Sequence, residues 1–454
     1  MSPKPPSGAQ IGGNDYPRQQ VRTRAVLAAV IGNFMEWFDF AVYGVFATNI
    51  GRVFFPSENE TASLLSSLAV FGVAFFMRPV GGAILGSIGD RLGRRNALSL
   101  AIILMTVATT LIALVPSYAT IGVAAPVLLV LLRCVQGIST GGEWTSSSAF
   151  VVENAPAHRR GLWASSISAT AALGTFVGAV AALTVNSTMS EAAVDSWGWR
   201  IPFLAAAPLG IVGFYLRRKL TDTPVYEAMR EQKRLARSPL RQAGRRNVKL
   251  IMLAFAFSSI TGVGFYYLAT FIVNYLSETV GFDRADALLI SIVGLGFYAL
   301  MCPVMGLLSD VWGRRKPVKL IGCAILVVLS VPAFLLMSQG GVGTFVGLFL
   351  LGIGEAMVNV MTVVLLVELF PPETRVTAGA IGYNIGLGYV AGMAPLIAAA
   401  LVAATGIAVS PAWFLGGIAL LSGIVLAIYL PETSKRSLTG NYENTAEPVA
   451  SEAR

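Results

Sequence analysis

Long apolar stretches separated by short polar segments recur along the whole chain. Most of them are about twenty residues or longer, and a helix of that length, rising about 1.5 Å per residue, crosses the roughly 30 Å hydrocarbon core of a bilayer. The alternation of apolar and polar residues that marks an outer-membrane β-strand is absent from the sequence. The pattern predicts an all-helical membrane protein with about twelve spans, near residues 25–50, 62–88, 97–115, 124–152, 162–186, 200–217, 250–277, 287–308, 318–337, 343–369, 377–403 and 411–430.

The widest polar gap follows the sixth predicted span. It is rich in Lys and Arg, and we predict a cytoplasmic linker that is helical around 224–237. The last residues are polar and lack a heptad pattern, which favours a free tail. The predicted organisation is therefore an N-terminal tail (1–24), a six-helix bundle (25–217), the linker (218–249), a second six-helix bundle (250–430) and a C-terminal tail (431–454).

Two short motifs occur twice, in the same order. The run 86–95, in which Gly, Asp, Gly, Arg and Arg keep their register, returns at 306–315, 220 positions later. The run 153–160, which joins Glu, Pro and Arg, returns at 368–375, 215 positions later. These repeated motifs indicate that the chain contains two copies of one helical unit. A duplicated bundle in a bilayer places a binding site between its halves, as in secondary transporters, so we expect a solute site there.

The composition and the location of the charges support this topology. The chain is 55% hydrophobic and only 13% charged, and its mean hydropathy is +0.69. Most of its 33 Lys and Arg fall in the tails, the linker and the loops on one side. By the positive-inside rule, both termini should be cytoplasmic and the number of spans even, in a bacterial cytoplasmic (inner) membrane. The net charge of +9 is thus a topology signal, and no nucleic-acid partner is expected.

The sequence offers little material for catalysis. Cys134, Cys302 and Cys323 lie in apolar runs without metal-ligand spacing, and His158 is the only histidine. A nucleophile with its base, a phosphate loop and a metal cluster are all missing from the sequence. We therefore expect no enzyme activity, no metal and no cofactor; the proton gradient would supply the energy.

The motifs resemble a known superfamily. Gly-x-x-x-Asp-Arg-x-Gly-Arg-Arg after the second span resembles the loop motif of the major facilitator superfamily. The runs 32–44, 76–82, 133–143 and 197–203 are similar to those of its metabolite:proton symporters. Glu-Trp-Phe-Asp-Phe at 36–40 and Tyr266-Tyr267 most resemble proline/glycine betaine transporters. The resemblance covers nearly the whole chain and implies alternating access. This tail lacks the coiled coil of some osmosensing members, so osmotic activation is not implied.

Acidic and basic residues inside predicted spans are the candidates for coupling. Glu36 and Asp39 lie three apart in the first span, where an ionised carboxylate must be paired or protonated. Arg133 could hold a substrate carboxylate or release one of these acids from protonation, and the alternative for each charge is a static ion pair. Glu355 is either a second coupling acid or faces water near a helix end. The candidate proton-coupling acids are Glu36, Asp39 and Glu143.

Aromatic and amide side chains near the predicted centre are candidates for substrate contact. Aromatic rings suit a quaternary or secondary ammonium through cation–π attraction, although aromatics in spans commonly serve packing instead. Arg78 is predicted to lie too near a helix end to serve as a second central cation. The candidate substrate-binding residues are Asn33, Trp37, Tyr43, Arg133, Gln136, Trp144, Tyr266, Tyr267 and Asn384.

The repeated charged motifs are candidates for a cytoplasmic gate. An Asp at such a helix end can pair with basic groups or with a helix N-terminus across the boundary between the halves, and these contacts would break when the inside opens. The candidate gate residues are Asp90, Arg94, Arg95, Glu153, Arg160, Asp310, Arg314, Arg315, Glu368 and Arg375.

The sequence thus predicts a monomeric importer that moves a small organic solute together with protons. The best candidate is a zwitterion of the proline or glycine betaine kind. A mono-, di- or tricarboxylate remains the alternative, and a drug or metabolite exporter with the same fold is disfavoured by the first-span motif. A transport-inactive sensor would be expected to carry a soluble signalling domain.

Overall fold

The computed structural model describes residues 19–439, and its regular elements in that range are all helices, without strands. Within these residues, eleven helices are long and apolar enough to cross a membrane, and a bent pair, Glu191–Gly198 with Arg200–Arg218, forms a twelfth candidate if it is counted as one span. The predicted all-helical fold with about twelve spans is therefore confirmed. The long helices are α1 (Gln19–Val45), α2 (Glu60–Leu92), α3 (Arg94–Leu114), α4 (Ala124–Asn154), α5 (Arg160–Thr188), α6 (Arg200–Arg218), α7 (Val248–Val280), α8 (Arg284–Trp312), α9 (Lys316–Ser338), α10 (Val342–Glu368), α11 (Arg375–Thr405) and α12 (Pro411–Tyr429).

The two halves, α1–α6 and α7–α12, pack in matching ways. In the first, α2 lies on α4 and α1 on α5; in the second, α8 lies on α10 and α7 on α11. We call the boundary between them the seam, and α2 meets α11 there while α5 meets α8. Helix α10 is the most enclosed, with 89% of its apolar core buried, against 28% for α12. Residues on α10 therefore face protein rather than lipid.

The polar segments are more ordered than the sequence pattern suggested. The linker forms two short helices, Pro224–Glu231 and Pro239–Arg246, each with proline at its first position, where a missing N–H costs nothing. They bury Tyr226, Met229 and Ala243. The predicted free tail does not hold for 431–439, because Thr433 and Leu438 are buried. The N-terminal tail up to residue 18 and residues 440–454 lie outside the described residues.

Helices α7 and α11 change their winding along their length, and α7 does so twice. Wider π-helical turns span Tyr267–Phe271 and Tyr275–Val280 in α7, and Gly386–Ala391 in α11. Such turns are uncommon in helices and often occur at functional sites. Here two of them begin within two residues of Tyr266 and Asn384, which contact the opposite half.

Candidate functional site

A buried ion pair of the first half lies next to the seam. Glu36 on α1 accepts a hydrogen bond from the Arg78 guanidinium at 2.5 Å, and both side chains are fully buried. Arg78 is fourteen residues before the end of α2, or about 21 Å along the helix. The expectation that Arg78 lies near a helix end was therefore wrong: α2 runs on to Leu92 and carries Arg78 deep into the bundle.

Aromatic rings from both halves surround this pair. The Arg78 guanidinium lies 5.1 Å from the Phe40 ring and 5.0 Å from the Phe75 ring. Across the seam, the Tyr266 ring is 5.6 Å from Phe75 and 5.8 Å from Trp37. We call Glu36, Arg78 and these four rings the central cluster. Its geometry combines one acid, one base and a set of cation-binding aromatic faces.

Several polar atoms of the central cluster have no hydrogen-bond partner within the described chain. They are Oε2 of Glu36, Nε and Nη1 of Arg78, the Tyr266 hydroxyl and the Trp37 indole nitrogen. Buried polar groups are normally bonded, and each exception asks for an explanation. A small polar solute bound at the seam would supply partners of both kinds, donors and acceptors.

The first-span partner acid is held differently. Asp39 accepts from Arg133 at 2.8 Å, from Gln136 at 2.9 Å and from Thr109 at 3.2 Å. The Arg133 guanidinium also stacks on Tyr43, 3.7 Å from the ring centroid. These groups belong to α1, α3 and α4, so Arg133, Gln136 and Tyr43 lie inside the first half rather than among the seam aromatics. Both oxygens of Asp39 are occupied, whereas Glu36 uses only one.

The third candidate acid belongs to a locked pair. Glu143 accepts hydrogen bonds from both terminal nitrogens of Arg217, and the Ser147 hydroxyl donates a hydrogen bond to it at 3.1 Å. Arg217 also donates to the backbone oxygens of Ala28, Ala29 and Leu98. Because every nitrogen of Arg217 is engaged, this pair ties α1, α3, α4 and α6 together. The geometry suits a structural role for Glu143.

The remaining predicted substrate residues divide between the seam and the bundle interiors. Trp144 stacks on Tyr383 across the seam at 4.1 Å, and Asn384 donates to the Gly141 oxygen on the other half at 2.6 Å. Asn33 instead donates to Ile167 and Thr170 on α5 within the first half. Tyr267 turns away from the seam and donates to the Pro411 oxygen at 2.9 Å. The structure therefore does not bring Tyr267 to the central cluster.

The two repeated aspartates cap helices of the opposite half. Asp90 accepts from the backbone N–H groups of Val376 at 3.2 Å and Thr377 at 2.8 Å, at the start of α11. Asp310 accepts from Gly161 at 2.9 Å and Leu162 at 2.8 Å, at the start of α5. The first N–H groups of a helix lack internal partners and carry a partial positive charge. Each aspartate thus links the halves at the end of the bundle predicted to be cytoplasmic.

The repeated glutamates extend this link. Glu153 pairs with Arg375 of the other half at 2.6 Å and with Arg94 at 3.4 Å. Its counterpart Glu368 pairs with Arg160 of the other half at 3.2 Å and with Arg315 at 3.5 Å. We call these four ion pairs and the two capping aspartates the loop-side latch.

Each repeat ends in two arginines, and the buried one is the first in one half and the second in the other. In the first half the buried member is Arg94, which bonds to Asp90 at 3.3 Å, whereas Arg95 is partly exposed and donates to the Arg218 oxygen. In the second half the buried member is Arg315, which bonds to Asp310 at 2.8 Å, and Arg314 is exposed. Helix α3 begins at the first arginine and α9 one residue after the second, which shifts the inward-facing position by one.

A third repeat completes the latch and was missed in the sequence. Asp222 accepts from the backbone N–H of Arg94 at 3.0 Å, and Thr223 donates to Glu153 at 2.5 Å. Glu432 accepts from the N–H of Arg315 at 2.8 Å, and Thr433 donates to Glu368 at 2.8 Å. The signal was an acid followed by Thr directly after spans six and twelve, which is too short to stand out alone.

The environments of Asp222 and Glu432 shift their pKa values in opposite directions. Burial raises the pKa of the Asp222 carboxyl, and its hydrogen bonds from Thr223 and Arg94 offset only part of this effect. Burial acts in the same direction on Glu432, but backbone N–H groups, first those of Arg315 and Ser434, outweigh it and lower the pKa. Glu432 therefore stays ionised to lower pH and holds the 431–439 segment on α9.

No group of three or more His, Cys, Asp or Glu within residues 19–439 is placed to hold a metal ion.

Two family models match the sequence. The model described as "Sugar (and other) transporter" matches residues 25–252, and that described as "Major Facilitator Superfamily" matches residues 257–451. The proline/betaine transporter of Escherichia coli K12 is 37% identical over 442 residues, which cover 94% of this chain and 86% of that relative. The chain belongs to the major facilitator superfamily.

Other superfamily members agree with this assignment. The glycine betaine/proline/ectoine/pipecolic acid transporter of Dickeya dadantii is 37% identical over the same shares of both chains. The ectoine/proline transporter of Corynebacterium glutamicum is 34% identical over 94% of this chain and 88% of its own. Among solved structures, the proton:xylose symporter XylE matches with a TM-score of 0.76 at 18% identity, covering 93% of this chain and 98% of that one. The protein is a multi-span secondary transporter of the bacterial cytoplasmic membrane.

Three buried cations of this superfamily member lie where the sequence predicts span ends. Arg217 is the last residue of the predicted span 200–217, Lys319 is the second of 318–337, and Arg78 was expected near a helix end, yet all three are fully buried. Each lies within about a turn of a proline or of the end of an apolar run, which is where a positive-inside count assigns charge to water. An acid elsewhere in a span, such as Glu36 or Glu143, was the available sign that a buried cation was needed.

Proposed function

We propose that this transporter imports a small zwitterion, of the proline or glycine betaine kind, together with a proton by alternating access. It would act as a monomer without a cofactor and without catalytic chemistry, driven by the proton gradient. The observation that carries the proposal is the central cluster, where the Glu36–Arg78 pair lies among aromatic rings of both halves. The relatives named above for proline, betaine and ectoine support this class of substrate.

The central cluster offers a partner for each end of a zwitterion. The substrate carboxylate would bind the Arg78 guanidinium, whose Nε and Nη1 have no partner in the described chain. A guanidinium matches a carboxylate with two parallel hydrogen bonds from one edge, and either such edge of Arg78 includes Nη2, the atom that donates to Glu36. The ammonium would lie against Trp37, Phe75 and Tyr266, since a desolvated cation on such faces gains about 2 kcal/mol. A dicarboxylate would want a second free cation here, and Arg133 is bound to Asp39.

Substrate and proton binding would be linked through Arg78. When the substrate carboxylate takes Arg78, Glu36 loses its counter-charge and becomes a buried carboxylate without a cation. Such a group costs several kcal/mol unless it binds a proton. The proton on Glu36 and the substrate on Arg78 would then cross together, and the Glu36–Arg78 pair would form again once both have been released.

The loop-side latch would supply the alternating access. It joins the halves at one end of the bundle through contacts that span the seam. While these contacts hold, the substrate site could be reached only from the opposite end of the bundle. The contacts would have to break before the site opens toward the cytoplasm. The sequence prediction of a gate at these residues is retained on that basis.

The experiment is uptake into proteoliposomes under an imposed proton gradient, with labelled glycine betaine, proline, 2-oxoglutarate and citrate side by side. We expect accumulation of betaine or proline that collapses with a protonophore. Accumulation of an acid instead would assign the carboxylate alternative. Accumulation that needs a gradient of opposite sign would identify an exporter, and uptake insensitive to the protonophore would refute proton coupling.

A further inference from the structure

One buried acid differs from all the others in the described chain. Glu36, Asp39, Asp90, Glu143, Glu153 and Glu368 are all buried and each has an arginine within 4.0 Å. Glu355 on α10 is equally buried, yet within residues 19–439 it has no cation at that distance. Its one hydrogen bond comes from Asn359 at 3.2 Å, and its Oε2 atom has none. An unpaired carboxylate in such a place holds a proton, because the ionised form is too costly.

One buried base is the counterpart of this acid. Arg78, Arg94, Arg133, Arg217, Arg315 and Arg375 are buried and bonded to acids. Lys319 on α9 is buried and has no acid within 4.0 Å in the described residues. Its ammonium donates only to neutral oxygens, those of Val358 at 2.7 Å, Thr362 at 2.7 Å, Thr261 at 3.0 Å and Phe257 at 3.2 Å.

The unpaired acid and the unpaired base lie on neighbouring helices of the same half. Glu355, Val358 and Thr362 fall at positions i, i+3 and i+7 of α10, which share one face of a helix. The Lys319 ammonium is therefore anchored on the face that carries Glu355, one to two turns closer to the latch end. The four-carbon stem of lysine can move its charge along such a face.

The surroundings of Glu355 connect it to the seam. Its partner Asn359 accepts a hydrogen bond from Ser168 on α5, in the other half, at 2.7 Å. Gly264 on α7 leaves room for the carboxylate, because a Cβ there would collide with it. The titratable groups that face Glu355 from the packed helices are Tyr298 and Cys302 on α8, Lys319 and Cys323 on α9, and Tyr383 on α11.

We propose that Glu355 is a second proton-binding site of the transport cycle and that Lys319 is the internal cation that expels its proton. The inference rests on the proposed function, since it adds a second coupled proton to the one assigned to Glu36. With the latch closed, Glu355 carries its proton and Lys319 is held by neutral oxygens. When α5 and α10 part, the Ser168–Asn359 bond breaks and Glu355 meets water from the cytoplasm.

The charges balance in this step. The Glu355 O–H bond breaks and its proton passes to cytoplasmic water, while Lys319 stays protonated throughout. The resulting carboxylate is compensated by the Lys319 ammonium, which exchanges its neutral acceptors for an ion pair. On return, a proton from the outside rejoins Glu355 and the ammonium goes back to Val358 and Thr362.

The first test measures the proton-to-substrate ratio from reversal potentials in proteoliposomes. In Glu355→Gln, which keeps the shape of the side chain, we expect the ratio to fall by about one proton while uptake continues. Asp286→Asn is the matched control, because Asp286 is an exposed acid of the same half, and its ratio should equal that of the wild type. An unchanged ratio in Glu355→Gln would overturn the proposal.

Wild-type uptake that ignores the proton gradient would instead refute the proposed function itself, so the two failures are distinguishable. If Glu355→Gln does not insert into the membrane, Glu355→Asp replaces it. The shorter acid should keep the ratio and shift the pH at which uptake is half-maximal, and a wild-type pH profile would count against the site.

The second test addresses Lys319. In Lys319→Met, no cation remains to compensate the ionised Glu355, so Glu355 should keep its proton. Net uptake should then be lost while substrate exchange is retained. Adding Glu355→Gln should restore net uptake at the lower ratio, because the trapped proton is removed. A purely structural role for Lys319 predicts no such rescue and would be the conclusion if the double variant stays inactive. Lys316→Met, three residues earlier on α9 and partly exposed, is the control.

Discussion

Two acids of the first span have different partners because their side chains leave the helix in different directions. Glu36 and Asp39 are three apart, so they leave α1 about 60° apart. Glu36 reaches Arg78 on α2 at the seam, and Asp39 reaches Arg133 on α4 inside the first half. Each charge is buried and each is paired, but only the Glu36 pair lies beside a ring, that of Phe75, which contacts the second half through Tyr266. Residues with the same chemistry and the same depth can therefore serve different steps.

Removing the proton site at Glu36 should uncouple transport. In Glu36→Gln the amide can still accept from Arg78 but cannot carry a proton, so proton-driven accumulation should be abolished while exchange of labelled for unlabelled substrate persists. Counterflow and gradient-driven uptake in the same proteoliposomes separate the two activities. Uphill uptake at the wild-type level would refute the assignment of Glu36.

A close approach in α1 gives a stability prediction. A Cβ on Gly32 would overlap the Glu143 carboxylate and the Arg217 guanidinium, and overpacking of this kind costs about 1–3 kcal/mol. Gly32→Ala should lower the melting temperature in detergent. Gly44, twelve residues on in the same helix, has nothing within 4 Å of its Cβ position, so Gly44→Ala should be neutral or gain up to about 1 kcal/mol. Equal melting temperatures of the two variants would contradict the structure.

At the scale of elements, the latch is built from helix ends. The free N–H groups that begin α5 and α11 each receive an aspartate from the opposite half. A carboxylate at a helix N-terminus contributes about 0.3–1 kcal/mol, and up to about 2 kcal/mol when partly buried. These contacts are strong enough to favour closure and weak enough to be broken in each cycle.

Weakening one cap should change the rate more than the affinity. Asp90→Asn keeps one acceptor for Thr377 but removes the charge, which should shift the balance between closed and open by up to about tenfold. We expect slower turnover with little change in the half-saturating substrate concentration, measured by initial uptake rates. Asp310→Asn should behave alike, since it caps the equivalent helix, and a wild-type rate in both variants would argue against the latch.

At the scale of the whole molecule, the halves also meet through direct backbone contact near the latch. Gly161 on α5 and Gly306 on α8 lie so close that a Cβ on either would contact the backbone of the other. The seam can close there only because both positions lack a side chain. The repeat thus places glycine in the loop motif for packing between halves as well as for the loop itself.

Filling this contact should hold the seam open. In Gly306→Val the added methyl groups collide with Gly161, so spin labels on exposed Arg91 and Arg314 should move apart and uptake should fall. The distance is measured by pulsed electron paramagnetic resonance. Gly296→Val on the same helix is the control, because nothing lies within 4 Å of that Cβ position. An unchanged distance distribution would show that closure does not depend on Gly306.

The sequence by itself determined the features that are local or repeated. Apolar run length gave the twelve spans, because each span must cross the same hydrocarbon thickness, and the doubled motifs gave the latch aspartates and glutamates. Tertiary structure alone decided which charges pair. Whether Arg78, Arg217 or Lys319 meets an acid depends on the rotation and the depth of each helix. Both are set by packing against other helices and cannot be derived from the sequence of a single span. The central cluster and the unpaired Glu355 and Lys319 therefore became visible only when the helices were packed.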